Sequence, residues 1–145
     1  MNAVDDPPVI SSAISDLTVD EDAADTIINL TNVFTDIDSG IVKTVENNSN
    51  KNLISATINN NDLVLDYQAD ENGSATIVIK GSSNGKNITD TFTVTVNEVD
   101  DEPIVSNAIA DITVNEGDEN TTIDLSNVFS DVDNKDSEIK KIIQI

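Results

Sequence analysis

The chain has 145 residues, a formal net charge of −21, and neither Cys nor His. These exclude disulfides, thiolate and imidazole chemistry and soft-metal sites, and so negative a chain makes nucleic acid and anionic membrane surfaces poor partners. Hydrophobic residues make up 37% of the chain and aromatics only 3%, too apolar for an acidic disordered tail, so a core must be built from Ile, Val and Leu.

No apolar run exceeds three residues, so no membrane-spanning helix is expected. Met1-Asn2-Ala3-Val4-Asp5 has neither the basic start nor the apolar stretch of a signal peptide. Pro7-Pro8 cannot donate ladder hydrogen bonds and opens an edge strand at best. A first strand is predicted over residues 9–13, continued at 17–19, and Asp20-Glu21-Asp22 forms a loop. A second strand covers 26–30. Leu30-Thr31-Asn32-Val33-Phe34 then breaks the alternation as a turn that seats Phe34 in the core, and Asp36-Ile37-Asp38-Ser39-Gly40 is a second acidic loop. The third strand is 41–45, followed by a polar turn over 47–52. The fourth strand runs near 53–58, with Ile54, Ala56 and Ile58 on one face. Asn59-Asn60-Asn61-Asp62 is hairpin chemistry, because these side chains tolerate positive φ and bond their own backbone. In the fifth strand Leu63, Leu65 and Tyr67 align. Asp70-Glu71-Asn72-Gly73 is an acidic turn. The sixth strand turns Ile77 and Ile79 inward, and residues 82–86 reverse the chain. The seventh strand, 88–96, is the cleanest: Ile88, Phe92, Val94 and Val96 face one way and Thr89, Thr91, Thr93 and Thr95 the other.

Seven short strands with a turn signal every ten or so residues predict an all-β, seven-stranded Greek-key β-sandwich of the immunoglobulin-like kind, without the Cys–Trp–Cys pattern of a true immunoglobulin domain. The expected core holds Ile14, Leu17, Val19, Ile28, Leu30, Phe34, Val45, Ile54, Ile58, Leu63, Leu65, Ile77, Ile79, Phe92, Val94 and Val96.

The motif Val4-Asp5-Asp6-Pro7-Pro8 recurs as Val99-Asp100-Asp101-Glu102-Pro103, 95 positions on. The match continues without a gap: Ile14, Asp16, Thr18, Val19 and Glu21 recur as Ile109, Asp111, Thr113, Val114 and Glu116, and Leu30, Asn32, Val33, Phe34, Asp36 and Asp38 as Leu125, Asn127, Val128, Phe129, Asp131 and Asp133. A fixed period with this identity predicts a tandem array. Residues 4–98 are expected to form a complete repeat, 99–103 an acidic linker, and 104–145 the N-terminal part of a second, incomplete repeat. That part should supply counterparts of the first two strands and one more apolar strand over 139–145. The pattern begins at once and stops mid-repeat, as expected of a piece of something longer.

Strands of such a sandwich alternate in direction. The loops after the first and fifth strands and the end of the seventh therefore share one end, which gathers Glu21, Asp70, Glu71, Asn97 and Glu98. Asp100 and Asp101 leave from that end. In the next repeat Asp131 and Asp133 lie in the loop after the second strand, at the end expected to face the joint. Taken singly, each acid reads as a solvated surface group. As a set placed by topology, these carboxylates cannot crowd together without a cation. Hard, all-oxygen donors select calcium, which takes roughly six to eight oxygens, over magnesium with its stricter geometry.

Two other motif readings fail. Asp36-Ile37-Asp38-Ser39-Gly40 suggests an EF-hand loop, but its twelfth position is Asn47 and no helices flank it. Asp38-Ser39-Gly40 is similar to an aspartic-protease triplet, but its repeat partner is Asp133-Asn134-Lys135. With no nucleophile–base pair, the chain is not expected to be an enzyme.

"IVIKGSSNGKNITDTFTVTVNEVDDEP", residues 77–103, resembles the end of the cadherin-like tandem repeats of giant bacterial surface proteins and adhesins. "FTDIDSG" and "FSDVDNK" are similar to their Phe-x-Asp-x-Asp loop and to the cadherin Asp-x-Asp calcium motif. "VDED" and "VNEG" resemble the loop whose central Glu binds calcium, here Glu21 and Glu116, and "VDDEP" resembles a shortened cadherin linker. The resemblance also implies an upper metal site in the first repeat built by Asp5, Asp6, Asp36 and Asp38, which is weakened because Ser83-Asn84-Gly85 stands where the family usually carries Asp before Gly. The Leu-Asp-Arg-Glu motif is absent as such, and Asp70 and Glu71 occupy its loop. The resemblance implies a calcium-stiffened structural repeat in the stalk of a secreted or surface-anchored bacterial adhesin, extracellular or at the cell surface. Its partners would be neighbouring repeats of the same chain. The alternative is an extracellular module that binds a cell-surface glycan or protein through its loops or the Thr-rich face of the seventh strand.

Overall fold

Alternating apolar and β-branched residues set the strands between Val4 and Val99. The computed structural model describes residues 4–144, and the chain divides after Val99 into two compact units.

In the first unit, β1 (Val9–Ile10), β2 (Leu17–Asp20), β3 (Thr26–Asn29), β4 (Phe34–Thr35), β5 (Val42–Asn48), β6 (Ile54–Asn59), β7 (Asp62–Tyr67), β8 (Gly73–Ser83) and β9 (Lys86–Asn97) follow in order. Four of them form a sheet in the order β2-β9-β8-β5, and three form a second in the order β3-β7-β6. Strand β2 runs parallel to β9, with Leu17 opposite Val94 and Asp20 opposite Asn97. The other pairs of these two sheets are antiparallel. The β8–β9 hairpin turns on Asn84 and Gly85 alone, both at positive φ (48° and 78°), the geometry that matches strand twist. The chain therefore reverses in two residues, where the sequence suggested five.

One core lies between the two sheets. Ala75, Ile77, Ile79, Phe92, Val94 and Val96 enter it from the first, and Ile54, Leu63, Leu65 and Tyr67 from the second. Leu30, Val33 and Phe34 close it from the turn after β3, held by the Val33 N–H donating to the Leu30 carbonyl. Every residue of the expected core is buried or packed against it, and Val33, Leu53, Tyr67 and Ala75 join it. Phe34 fixes a glycine: a Cβ on Gly81 would stand 2.9 Å from its ring. The inward face of β9 also carries a carboxylate, Asp90, which is buried and accepts the Ile14 N–H at 2.7 Å.

Residues 9–13 differ from expectation. Only Val9 and Ile10 are strand, and they pair with β4 rather than joining either large sheet. Ser11 and Ser12 instead both donate to the Val33 carbonyl.

In the second unit, β10 (Ile104–Val105) pairs with β11 (Phe129–Ser130), and a single 3₁₀ turn covers Asp136–Glu138. Residues 112–115 and 121–124, counterparts of β2 and β3, are not strands, and neither are 139–144; Ile145 lies outside the described residues. In the first unit β2 is held by β9 and β3 by β7. The positions 95 residues beyond β7 and β9 lie past residue 145. Without a ladder to join, alternation alone does not make a strand.

Among the described residues no helix is long and apolar enough to cross a membrane.

Candidate metal centre

Three groups of carboxylates are built by local backbone geometry. The first lies where β2 and β9 end side by side. The Glu21 N–H donates to the Asn97 carbonyl at 2.9 Å, and the Asn97 side-chain amide to Asp20 Oδ1 at 3.2 Å. This pins the start of the loop and turns the Glu21 side chain inward, where it is only 5% exposed. Its Oε1 accepts the Val99 N–H at 2.6 Å, while Oε2 is buried with no hydrogen-bond partner. Burying a carboxylate oxygen without a partner is costly unless a cation satisfies it. Asp22, at φ 63°, accepts the Asp70 N–H on Oδ1 at 3.0 Å. The loops after β2 and β7 therefore meet, as strand parity requires. Glu71 and Glu98 are exposed.

The second group is made by the loop after β4. Asp36 Oδ1 accepts the N–H groups of Asp38 (2.7 Å) and Ser39 (3.1 Å), an Asx turn. Asp38 Oδ2 accepts the Asp6 N–H at 2.7 Å. Asp5 Oδ1 accepts from the Asn84 amide at 2.8 Å, and the same amide nitrogen reaches Ser39 Oγ at 2.8 Å. The Lys86 ammonium lies 3.3 Å from Asp5 Oδ2 and also donates to the Asp5 carbonyl. The Asp36 carboxyl is held below its ordinary value, chiefly by the Asp38 N–H, then by the Ser83 hydroxyl and the Ser39 N–H, with Lys86 adding a smaller attraction. Ser83 Oγ and Asp36 Oδ2 are both buried and do not reach hydrogen-bond geometry, so the Ser83 contribution is one of proximity.

The third group, in the second unit, repeats the backbone N–H bonds of the second. Asp131 Oδ1 accepts the N–H groups of Asp133 (2.8 Å) and Asn134 (3.1 Å), and Asp133 Oδ2 accepts the Asp101 N–H at 2.6 Å. Asp100, the counterpart of Asp5, is exposed, as is Glu116, the counterpart of the buried Glu21.

Within the first unit the fold thus ties the Asp70 backbone to Asp22, next to Glu21 in sequence, and the Asp6 backbone to Asp38, which is itself tied to Asp36. Within the second it joins Asp101, Asp131 and Asp133. The donors are carboxylate oxygens throughout, which suits a hard cation. Sequence reasoning missed Asp22 as a participant, although it stands beside Glu21. It also missed Lys86, whose lone positive charge two residues past Asn84 was the available signal.

No family model matches the chain. No curated protein matches it either. Among solved structures, an endo-fucoidan hydrolase of glycoside hydrolase family 107 is 15% identical over 68% of this chain, with a TM-score of 0.48. This chain spans 15% of that hydrolase chain. The titin M10–obscurin-like 1 Ig complex is 16% identical over 64% of this chain and 96% of the other, with a TM-score of 0.43. Titin M4 is 15% identical over 66% of this chain and all of the other, with a TM-score of 0.39. At these TM-scores the likeness carries no weight for the function, and the two-sheet β architecture stands on its own strand pairing.

Proposed function

We propose that the chain is a calcium-rigidified structural repeat from the extended stalk of a secreted or surface-anchored bacterial adhesin. Residues 4–98 are a complete repeat of seven-stranded Greek-key design, 99–103 an acidic linker, and 104–145 the opening of the next repeat. The observation that carries this reading is the recurrence, 95 residues apart, of one carboxylate-to-backbone network: Asp6 with Asp36 and Asp38, and Asp101 with Asp131 and Asp133. The unpartnered buried Glu21 Oε2 supports a demand for positive charge. Calcium ligands would be drawn from Glu21, Asp70 and Glu71 in the first unit and from Asp100, Asp101, Asp131 and Asp133 in the linker and second unit. The rings of Phe34, Tyr67 and Phe92 are buried, so no exposed aromatic surface in the first unit favours a glycan-gripping module.

Extracellular calcium modules bind at roughly 10⁻⁴–10⁻³ M, so the clusters would fill outside a cell and empty in a cytosol. At about tenfold excess over the dissociation constant, one ion adds about 1.4 kcal/mol to the bound state. That is small against a whole domain and large against a free linker. Titration calorimetry, with hydrogen exchange of linker residues 99–102, tests the reading. The wild type is expected to bind calcium in the millimolar range with slowed exchange at the Val99 and Asp101 amides. Asp100→Asn with Asp133→Asn should lose both effects. If the wild type shows neither heat nor slowed exchange, the acids are only solubilising charge and the reading falls.

A further inference from the structure

The last strand of the first unit, β9, runs beside β2 in the same direction, but their ladder is short: Leu17 faces Val94 and Asp20 faces Asn97 at its two ends. Side chains carry the pairing further both ways. Ahead of β2, Asp90 Oδ2 accepts the Ile14 N–H at 2.7 Å and Asp16 Oδ1 accepts the Thr93 N–H at 2.8 Å. At and beyond its other end, the Asn97 amide donates to Asp20 Oδ1, the Glu21 N–H to the Asn97 carbonyl, and the Val99 N–H to Glu21 Oε1. The partners of the four side-chain bonds stand 76, 77, 77 and 78 residues apart in sequence. Ladder partners stand 77 apart (94 − 17). The side-chain bonds therefore continue the ladder in its own register. All four are accepted by carboxylates, and such bonds are roughly twice as strong as neutral ones.

The chain reaches this seam ahead of Ile14 and leaves it beyond Val99. Tension along the chain therefore draws β2 and β9 past each other lengthwise. The bonds of a parallel pair are evenly spaced along it, so lengthwise sliding loads them together, whereas strands drawn apart crosswise give way one rung at a time. Sliding would also drag Leu17 and Val19 off the core they pack against. We propose that the seam of residues 14–21 against 90–99 is a load-bearing site that resists tension on the chain, with the Asp16 and Asp90 carboxylates fastening the end where tension from the N-terminal side arrives. Only the two pairs of β1 with β4 stand between that side and Ile14 among the strand ladders. The seam lies within the first unit and works without a bound ion. Forced opening is set by the rate at which such a seam parts rather than by the equilibrium stability of the fold.

The test is single-molecule force spectroscopy of the full chain in a chelator, in two directions. Held by its two ends, the chain loads the seam lengthwise. Thr18→Cys with Thr95→Cys lets the same seam be pulled crosswise, because these two residues face each other across the ladder and the chain has no other Cys. The first unit should open at a markedly higher force lengthwise than crosswise. Asp16→Ala with Asp90→Ala should lower the lengthwise force and leave the crosswise force nearly unchanged. Should that pair fail to fold, Asp16→Asn keeps an acceptor oxygen without the charge and should lower the lengthwise force by a smaller amount. Leu63→Ala empties a fully buried position in the other sheet. It should cost more than Asp16→Ala in denaturant, yet lower the lengthwise force less. Equal forces in the two directions overturn the inference, as does a loss in the Asp16 and Asp90 variants that is alike in both. A larger lengthwise loss in Leu63→Ala would show that stability alone sets the force and overturns it too. A lengthwise resistance that appears only with calcium would place the load on an ion, with the same result. A direction-dependent force in a chain that binds no calcium would sink the proposed function and leave this inference standing.

Discussion

Three single residues carry expectations of their own. Phe92 is 1% exposed at the centre of the core, so Phe92→Ala should cost about 3–5 kcal/mol in denaturant unfolding. A loss below about 1 kcal/mol would contradict its place there. Gly81 is set by its neighbour rather than by its backbone. Gly81→Ala must push aside the Phe34 ring and the Ile41 methyl, and should cost about 1–3 kcal/mol by overpacking. Tyr67 donates or accepts a 2.6 Å bond with Thr26 Oγ1, and burial pushes its hydroxyl above the ordinary 10.0, with Asp25 adding to the rise. A folded-state value raised above the unfolded one contributes stability that is complete below pH 10 and lost as pH rises through the folded value. Melting followed between neutral pH and strong base should therefore show a fall in wild type that is smaller in Tyr67→Phe.

At the scale of the element, the second unit shows what holds a strand. Leu17, Val19 and Ile28 rest against the core because β9 and β7 lie beside their strands. Their repeats Ile112, Val114 and Ile123 are 51%, 60% and 43% exposed. Both stretches are rich in β-branched residues, and the missing neighbour sets the second pair apart. Amides of β9 should accordingly exchange at the rate of global unfolding, while residues 112–115 and 121–124 exchange many orders faster. Equal protection in the two stretches would mean that the second unit closes a ladder of its own. The edge segment before β2 is fixed by two carboxylates: Asp90 on the Ile14 N–H and Asp16 on the Thr93 N–H at 2.8 Å. Removing the buried Asp90 leaves the part-buried Ile14 N–H without its partner, so Asp90→Ala should cost about 1–3 kcal/mol.

For the whole molecule the governing quantity is a net charge of −21 carried by 28 acidic and 7 basic residues. Self-repulsion on this scale destabilises the compact state, and any salt screens it. Bound calcium acts differently, by mass action at particular oxygens. Melting in a chelator should therefore fall below melting in millimolar calcium, and sodium chloride at matched ionic strength should not restore the difference. If sodium restores it fully, the effect is general screening, and the carboxylate groups take no ion.

The sequence by itself determined the period, most strands of the first unit and nearly all of its core, but not that β1 stops at Ile10 or that Phe34–Thr35 forms β4. Alternation writes burial directly into residue type, and turn chemistry marks where each strand stops. It also placed Glu21 and Asp70 at one end, since strand direction follows from strand count. Tertiary structure alone decided that Glu21 is buried while its repeat Glu116 is exposed, because burial depends on what lies across from a loop. Pairing partners far along the chain determined that β2 is a strand and that its repeat at 112–115 is not. The tight β8–β9 hairpin brought Lys86 to Asp5, 81 residues away in sequence. No local pattern encodes that meeting: a charge at the surface reads the same in sequence whether it faces water or a carboxylate.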